Sequence, residues 1–157
     1  MSLDAPARTT ILGAEFRFGI AAARFNGELV EGLLTRTVAA LRTAGVPEAN
    51  LTVVRVPGSH EVPWAAQALA LAGPCDGVIA LGVLIAGDTN HHEMVGTSVS
   101  HALQRVALET RTPVINGVIV TNSADQARAR TVGTIDRGAE FAQAALEMAA
   151  LRRKFLR

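Results

Sequence analysis

Residues 82–91, with the sequence GVLIAGDTNH, combine residue types that could bind an anion and move a proton. An apolar run gives way there to glycine, threonine and histidine, where a helical pattern begins. The backbone N–H groups of Gly87, Asp88 and Thr89, together with the N-terminus of the following helix, would favour a bound phosphate. His91 is expected one turn into that helix, where an imidazole could exchange a proton near neutral pH. Taken alone, the turn is equally well explained as a helix start with an N-capping threonine.

Polar side chains also follow the two earlier apolar runs. The first run ends in RFN at residues 24–26, and the second ends in PGSHE at residues 57–61. Because ligands bind beyond the carboxyl ends of strands in an open parallel sheet, these groups are expected to face one crevice. Phe25 could stack on a ring there, and Ser59 and Glu61 could bind a polyol. A helix cap and a first-turn acid are the plainer interpretations of the asparagine and the glutamate.

Three later residues are further candidates for this crevice. Asn116 interrupts the apolar sequence VINGV, and an amide in a buried strand is costly unless it is hydrogen-bonded. It is therefore expected to face a ligand or to hold a neighbouring loop. Arg128 and Arg130 follow on a later helix, and either guanidinium could reach a phosphate, although exposed helix arginines are usually only solvated.

A metal cluster is the rival interpretation of Asp88, His91, His92 and Glu93. Carboxylates and imidazoles are ligands that suit zinc or manganese. Adjacent residues on a helix point about 100 degrees apart, however, so His91 and His92 would rarely bind one ion together. We therefore expect no metal site here.

The hydrophobic periodicity predicts the sheet that these groups require. Four short β-rich runs alternate with longer segments of helical spacing, and the runs cover residues 18–23, 51–56, 77–81 and 113–120. Each is apolar along most of its length, as a strand covered on both faces would be. Helix boundaries are indicated by Asn26 as a cap, Gly45 as a stop, Pro63 in a first turn, and Ser123 with Gln126 as a capping box.

This alternation with short connections predicts a three-layer α/β/α fold with a central four-stranded parallel sheet, of the flavodoxin-like type, and right-handed crossovers. Residues 1–16 are predicted to form an irregular N-terminal arm. Ile11 and Leu12 in it could add an edge strand to this sheet or to a neighbouring subunit. Residues 1–157 are expected to form one domain.

Composition argues against several classes of function. The net charge is +1, from 15 basic and 14 acidic residues, so nothing indicates attraction to nucleic acid or to a membrane surface. The single cysteine, Cys75, cannot form an internal disulfide, and no secretory signal or long apolar run opens the chain. We therefore expect a soluble, cytoplasmic protein.

Five linked motifs together resemble those of the lumazine synthases in order and spacing. They are RFN at 24–26, VPGSHEVP at 56–63, GVLIAGDTNH at 82–91, PVING at 113–117 and DQARAR at 125–130. The resemblance extends over nearly the whole chain, roughly residues 16–155. It implies a transferase that condenses 5-amino-6-(D-ribitylamino)uracil with 3,4-dihydroxy-2-butanone 4-phosphate, the penultimate step of riboflavin biosynthesis. It implies no metal and no organic cofactor.

The resemblance also implies a role for each matching position. Phe25 would stack on the uracil ring, His91 would transfer protons, Asn116 would contact the ring from an adjacent subunit, and Arg130 would pair with the phosphate. The other substrate contacts would be Ser59, His60 and Glu61 to the ribityl chain, the backbone of Val83, Leu84 and Ile85 to the pyrimidine edge, and Asp88 and Thr89 to the phosphate.

Two departures from the family pattern bear on function. Ala86 stands where relatives usually carry a basic residue, which Arg128 could replace. This substitution supports an alternative reading as a flavin- or lumazine-binding protein without turnover. The segment 131–137 is shorter than the common family pattern, and that loop influences how pentamers join. We therefore expect a homopentamer with active sites between subunits, and leave open whether pentamers assemble further into a shell.

Overall fold

The computed structural model describes residue 7 and residues 9–156, and it confirms the predicted parallel sheet. The strand order is β2-β1-β3-β4, and every neighbouring pair is parallel. The strands are β1 (Phe18–Ala23), β2 (Leu51–Val56), β3 (Gly77–Ile85) and β4 (Val114–Thr121). The first and last residues of β1, β2 and β4 lie within one position of those predicted. Strand β3 begins where predicted and runs four residues further.

The helices cover both faces of the sheet and complete the predicted three-layer α/β/α fold. Those of the described chain are α1 (Gly27–Thr43), α2 (Val62–Leu71), α3 (His91–Thr110), α4 (Ala124–Thr131) and α5 (Arg137–Phe155). The first and last of these pack together over one face, and α2 and α3 pack together over the other. In the described part of the chain, none of the helices combines the length and the apolar character that crossing a bilayer requires.

The two central strands form the middle of the core. All six residues of β1 are buried, and so are the first seven of β3. Because successive side chains of a strand point to opposite faces, Ile20 joins the apolar cluster beneath α1 and α5, whereas Ala21 joins the cluster beneath α2 and α3. The strand ends that carry the candidate site therefore rest on a rigid, doubly covered base.

The outer strand β2 is less covered than its apolar sequence predicts. Only Val56 of its six residues is buried, and Val53 is 40% exposed. The prediction of a strand covered on both faces is wrong for β2, because α1 and α2 lie mainly over the central strands. It is also wrong for the other outer strand, β4, of whose eight residues only Gly117, Ile119 and Thr121 are buried.

The described residues of the N-terminal arm add no strand to the sheet of their own chain. Ile11 and Leu12 are not part of a strand, and Leu12 is 83% exposed. That half of the prediction is wrong, while pairing of these residues with a neighbouring subunit stays a prediction. Residues 1–6 and 8 of the predicted arm lie outside the described residues.

The helix caps agree in part with the sequence signals. Ser123 Oγ accepts a hydrogen bond from the Gln126 N–H at 3.2 Å, as predicted for α4. The glutamine side chain closes the turn one residue earlier than a standard capping box, because its Oε1 accepts from the Asn122 N–H at 3.0 Å. Gly45 has φ 94 after the end of α1, so a residue with left-handed backbone stops this helix where predicted.

Asp76 joins the chain before β1 to the last helix. Its Oδ1 and Oδ2 accept hydrogen bonds from Nε and Nη2 of Arg153 at 2.7 and 2.8 Å, and Oδ2 also accepts from the Arg17 N–H at 2.8 Å. Burial alone would raise the pKa of Asp76, but the hydrogen bonds from Arg153 and Arg17 and the nearby arginine charges outweigh it and lower the pKa. The folded state therefore favours the ionised carboxylate.

We expect Asp76→Asn to lower the free energy of unfolding by about 1–3 kcal/mol near neutral pH, since it weakens the hydrogen bonds between a buried carboxylate and the partly exposed guanidinium of Arg153. A lowered pKa contributes stability above the ordinary aspartate pKa, and this contribution is lost as the pH falls through the folded value. The gap between wild type and variant should therefore close in acid. Urea unfolding at several pH values measures it, with the exposed Asp125→Asn as control. A gap that stays constant down to strongly acidic pH would contradict this account.

Candidate active site

A cavity of about 450 Å³ lies at the carboxyl ends of the strands, where the sequence predicts the crevice. Residues from the ends of three strands and from the start of α3 line it. They are Phe25, Asn26, Gly58, Ser59, His60, Glu61, Val83, Leu84, Ile85, Gly87, Thr89, His91, His92 and Val95. Nine of the predicted site residues are among them, so three separate chain segments do meet in one place.

The segment after β1 is held at the cavity by bonds to both neighbouring strands. The Phe25 N–H donates to the Pro57 carbonyl at 3.2 Å, and its ring is 73% exposed at the cavity rim. Asn26 has φ 54, and its Nδ2 donates to the Val83 carbonyl at 2.8 Å. Asn26 is the N-cap residue of α1 as predicted, but its side chain makes no cap bond to the helix, because its amide bridges the ends of β1 and β3 instead.

The short 3-10 turn Ser59–Glu61 packs tightly against β3. Ser59 is 5% exposed, and its Oγ has no hydrogen-bond partner in the described part of the chain. A Cβ placed on Gly82 would lie 2.4 Å from this oxygen, so only glycine permits the approach. Glu61 Oε2 accepts from the Gly58 N–H at 2.8 Å, and its Oε1 lies 3.8 Å from His60 Nδ1. Glu61 is therefore a first-turn acid whose carboxylate accepts a hydrogen bond from the backbone, as the plainer interpretation predicts, and it also lines the cavity.

We expect Gly82→Ala to lower the free energy of unfolding by about 1–3 kcal/mol, because the new methyl group overpacks the contact with Ser59. In the Ser59→Ala background the same change should cost less, since the nearest remaining Ser59 atom, Cβ, is 3.3 Å away. Chemical unfolding of the four proteins of this cycle tests the coupling. Equal costs in both backgrounds would show that the serine hydroxyl does not require the glycine.

The turn between β3 and α3 leaves the start of the helix without a side-chain cap. Gly87, Asp88 and Thr89 are exposed, and Asn90, the N-cap residue, makes no side-chain cap bond. The first-turn N–H groups of a helix lack partners within the helix, so this end favours an anion. His91 is the first residue of α3 rather than one turn into it, which places it beside the turn.

His92 and Val95 also line the cavity, although the sequence analysis did not assign them to the site. His92 Nδ1 is buried and has no hydrogen-bond partner among the described residues. A signal was available for Val95, since a residue four positions after His91 lies on the same face of the helix, whereas spacing gave none for His92, which points about 100 degrees away. Within residue 7 and residues 9–156, there is no group of three or more side chains of the types histidine, cysteine, aspartate or glutamate that could hold a metal ion.

Three predicted site residues do not line the cavity of their own chain. Asp88 lies in the turn between two lining residues. Asn116 is exposed on β4, where its Oδ1 accepts from the Val118 N–H at 3.1 Å, and it pairs with Ala80, three positions before the strand reaches the cavity. Arg130 donates from Nη1 to the Gln126 carbonyl at 3.0 Å, on its own helix.

That Arg128 replaces the positive charge missing at Ala86 stays a prediction, because Arg128 does not line the cavity of its own chain. Its Nη1 lies 3.0 Å from Glu28 Oε1, so the guanidinium is paired with α1 on the surface.

Comparison with known proteins relates nearly the whole chain to one family. Residues 15–153 match the family described as 6,7-dimethyl-8-ribityllumazine synthase. Relatives of that name include one from Nitrosospira multiformis, 43% identical over 141 residues that cover 90% of this chain and 86% of the relative. The relative from Halorhodospira halophila is 42% identical over 140 residues, 88% of this chain and 89% of its own. The relative from Pyricularia oryzae is 38% identical over 180 residues, which cover 90% of this chain and 90% of the relative.

Proposed function

The chain belongs to the 6,7-dimethyl-8-ribityllumazine synthase family, and we propose that the cavity at the strand ends is its active site. The enzyme is a transferase that condenses 5-amino-6-(D-ribitylamino)uracil with 3,4-dihydroxy-2-butanone 4-phosphate. The products are 6,7-dimethyl-8-ribityllumazine, phosphate and water, in the penultimate step of riboflavin biosynthesis. The assignment of the site rests on the convergence of Phe25, Ser59 and His91 in one cavity of about 450 Å³.

The aminouracil binds between Phe25 and the exposed end of β3. A ring that is 73% exposed at a cavity rim can stack on a heterocycle, and the chain offers few other aromatic side chains. The pairing of β1 with β3 stops at Leu81, whereas β4 follows β3 to Ile85. Alternate residues of a strand direct their backbone groups to opposite sides, so Val83 and Ile85 present theirs to the cavity.

The direction of these backbone groups is supported by two hydrogen bonds. The Val83 carbonyl accepts from Asn26 on the β1 side, and the Leu84 carbonyl accepts from Thr121 Oγ1 at 3.4 Å on the β4 side. The backbone groups of Ile85 therefore remain to hydrogen-bond the edge of the pyrimidine ring, and the side chain of Leu84 forms part of the cavity wall.

The ribityl chain lies against the turn Ser59–Glu61. Ser59 Oγ is a buried polar atom without a hydrogen-bond partner among the described residues, and such atoms are expected where a ligand completes the hydrogen bonding. His60 and Glu61 are exposed beside it and offer further donors and acceptors for hydroxyl groups.

The phosphate of the second substrate sits on the turn before α3. Thr89 and the backbone N–H of Asp88 contact it, together with the uncapped helix end. Arg130 pairs with the phosphate, and Asn116 contacts the ring, each from an adjacent subunit, since neither lines the cavity of its own chain. His91 then lies beside both reactants and transfers protons during imine formation, phosphate elimination and ring closure, without a covalent intermediate on the protein.

The assembly is a cytoplasmic homopentamer of single-domain subunits with active sites between neighbours. Contacts between subunits are supported by the exposure of Phe25 at the cavity and by the large apolar side chains that the described chain leaves on its surface, among them Leu108 and Phe155 at 70% and 71% exposure. The number of five subunits rests on the family resemblance. Native mass measurement of the purified protein tests the subunit number, and a monomer would contradict the proposal.

The activity is tested by mixing both substrates with the protein and following the fluorescence of the lumazine product. Formation well above the uncatalysed rate supports the proposed function. Tight binding of the product without such formation would indicate a binding protein instead, the alternative that Ala86 favours.

A further inference from the structure

Helix α4 depends on its neighbours for its position. It has eight residues and buries only Ala127 and Thr131. A helix this short has little stability of its own, so tertiary contacts must hold it. It carries Arg130, the residue proposed above to bind the phosphate.

One face of α1 supplies those contacts. Glu28, Gly32 and Arg36 are spaced four residues apart, so they lie in a row along the helix. A Cβ on Gly32 would lie 2.4 Å from Val132 Cγ1 and 3.0 Å from the Thr131 carbonyl oxygen. The glycine therefore lets the end of α4 rest directly on the backbone of α1.

Arg36 binds the chain where α4 ends. Its Nη2 donates to the carbonyl oxygens of Val132 and Gly133, both at 2.8 Å. The last carbonyls of a helix lack partners within the helix and carry partial negative charge, so a guanidinium is well suited to this end.

The same part of α1 also receives the start of α5. Thr37 Oγ1 donates to the Gly138 carbonyl at 3.2 Å, and a Cβ on Gly138 would lie 2.6 Å from Arg36 Cβ. The loop 132–136 is thus attached to α1 at both ends. The third member of the row, Glu28, pairs with Arg128 between exposed side chains, and such pairs add little.

We propose that Arg36 is a positioning residue for the condensation, which holds α4 so that Arg130 meets the phosphate. This inference rests on the proposed role of Arg130. Val132 lies only two residues after Arg130, so a shift of the clamped backbone moves that guanidinium directly. A displacement of about 1 Å at a reacting group can change rates by about 100-fold.

The test measures KM for each substrate in Arg36→Ala, with Arg42→Ala as the matched control. Arg42 is also on α1 and pairs with Glu48 rather than with α4. We expect Arg36→Ala to raise KM for the butanone phosphate by about 5- to 30-fold and to change KM for the aminouracil less than about 2-fold, as for a weakened charge-assisted contact. Arg36→Lys should fall between wild type and alanine, because one ammonium replaces a fork of donors.

The same measurement in an Arg130→Ala background shows whether Arg36 acts through Arg130. We expect Arg36→Ala to have no further effect on KM for the butanone phosphate there. Additive effects, or an equal rise of both KM values, would overturn the inference. A selective effect of Arg130→Ala without one of Arg36→Ala would overturn it while leaving the proposed function intact. An unselective Arg130→Ala would remove the phosphate role itself. If Arg36→Ala fails to fold, Arg36→Lys takes its place in each comparison.

Discussion

Replacing His91 with alanine should lower kcat by about 10- to 100-fold, the usual contribution of one general acid–base group. His91 is the first residue of α3 and lines the cavity beside residues 87–90, the proposed phosphate-binding turn. Loss of its imidazole should therefore remove proton transfer and leave the other lining residues in place. The two substrates also react slowly with each other without a catalyst. This reaction limits how far turnover can fall in the variant. We expect the affinity for both substrates to stay within about 3-fold of wild type, since the contact matters mainly in the transition state.

Steady-state kinetics with product fluorescence measures both quantities. His101→Ala is the matched control, since it removes an exposed imidazole from the same helix and lies outside this cavity. The affinities are read from titration with each substrate in the absence of the other. An unchanged kcat in His91→Ala would reduce His91 to a residue of the helix start, and a large loss of affinity would make it a binding residue.

The hydrophobic pattern predicts the sheet well because burial dictates it. The runs that became β1 and β3 are apolar at every position that a doubly covered strand requires, and both are buried. The pattern placed the end of β3 at Leu81, four residues early. Residues 83–85 are apolar too, so the local sequence allowed a longer strand, but it could not show that β4 pairs with β3 as far as Ile85 through residues that lie 36 positions away, such as Thr121. Those extra residues form one wall of the cavity.

The sequence patterns of the exposed parts say less, because polar residues have several ways to satisfy their hydrogen bonds. Asn26 is a good capping residue by type, yet its amide donates to Val83 across the sheet. The apolar run in β2 predicts a covered strand, and the position of the helices leaves it open.

The candidate site divides in the same way. Residues that follow directly from a strand end, such as Phe25, Ser59 and Thr89, come together because the parallel sheet brings its carboxyl ends to one edge. Asn116 and Arg130 do not line the cavity of their own chain. Their proposed roles rest on matching positions in a family and on a proposed contact between subunits, which no pattern within one chain can reveal.

Replacing Arg130 with alanine is expected to raise KM for 3,4-dihydroxy-2-butanone 4-phosphate by about 10- to 100-fold, the value of a charge-assisted hydrogen bond to phosphate. KM for the aminouracil should change less than about 2-fold, because that substrate carries no phosphate. The rise in KM should exceed that caused by removing an ordinary surface charge. Position 86, beside the turn, is alanine and cannot supply a second positive charge to the phosphate. In the free subunit the guanidinium rests on the Gln126 carbonyl, a weak contact that a phosphate can replace.

Arg128→Ala is the control for Arg130→Ala, because it removes the same charge from the same helix. Its guanidinium is paired with Glu28 on the surface, so we expect both KM values to stay near those of wild type. Kinetics with each substrate varied in turn separates the two variants. Equal losses for both substrates in Arg130→Ala would show that α4 supports the site as a whole. If Arg128→Ala raised KM for the butanone phosphate as much as Arg130→Ala, the overall positive charge of α4, and not a direct contact with Arg130, would attract the phosphate. A selective loss confined to Arg130→Ala would instead require that α4 of one subunit reaches the anion-binding turn of another, which ties catalysis to assembly.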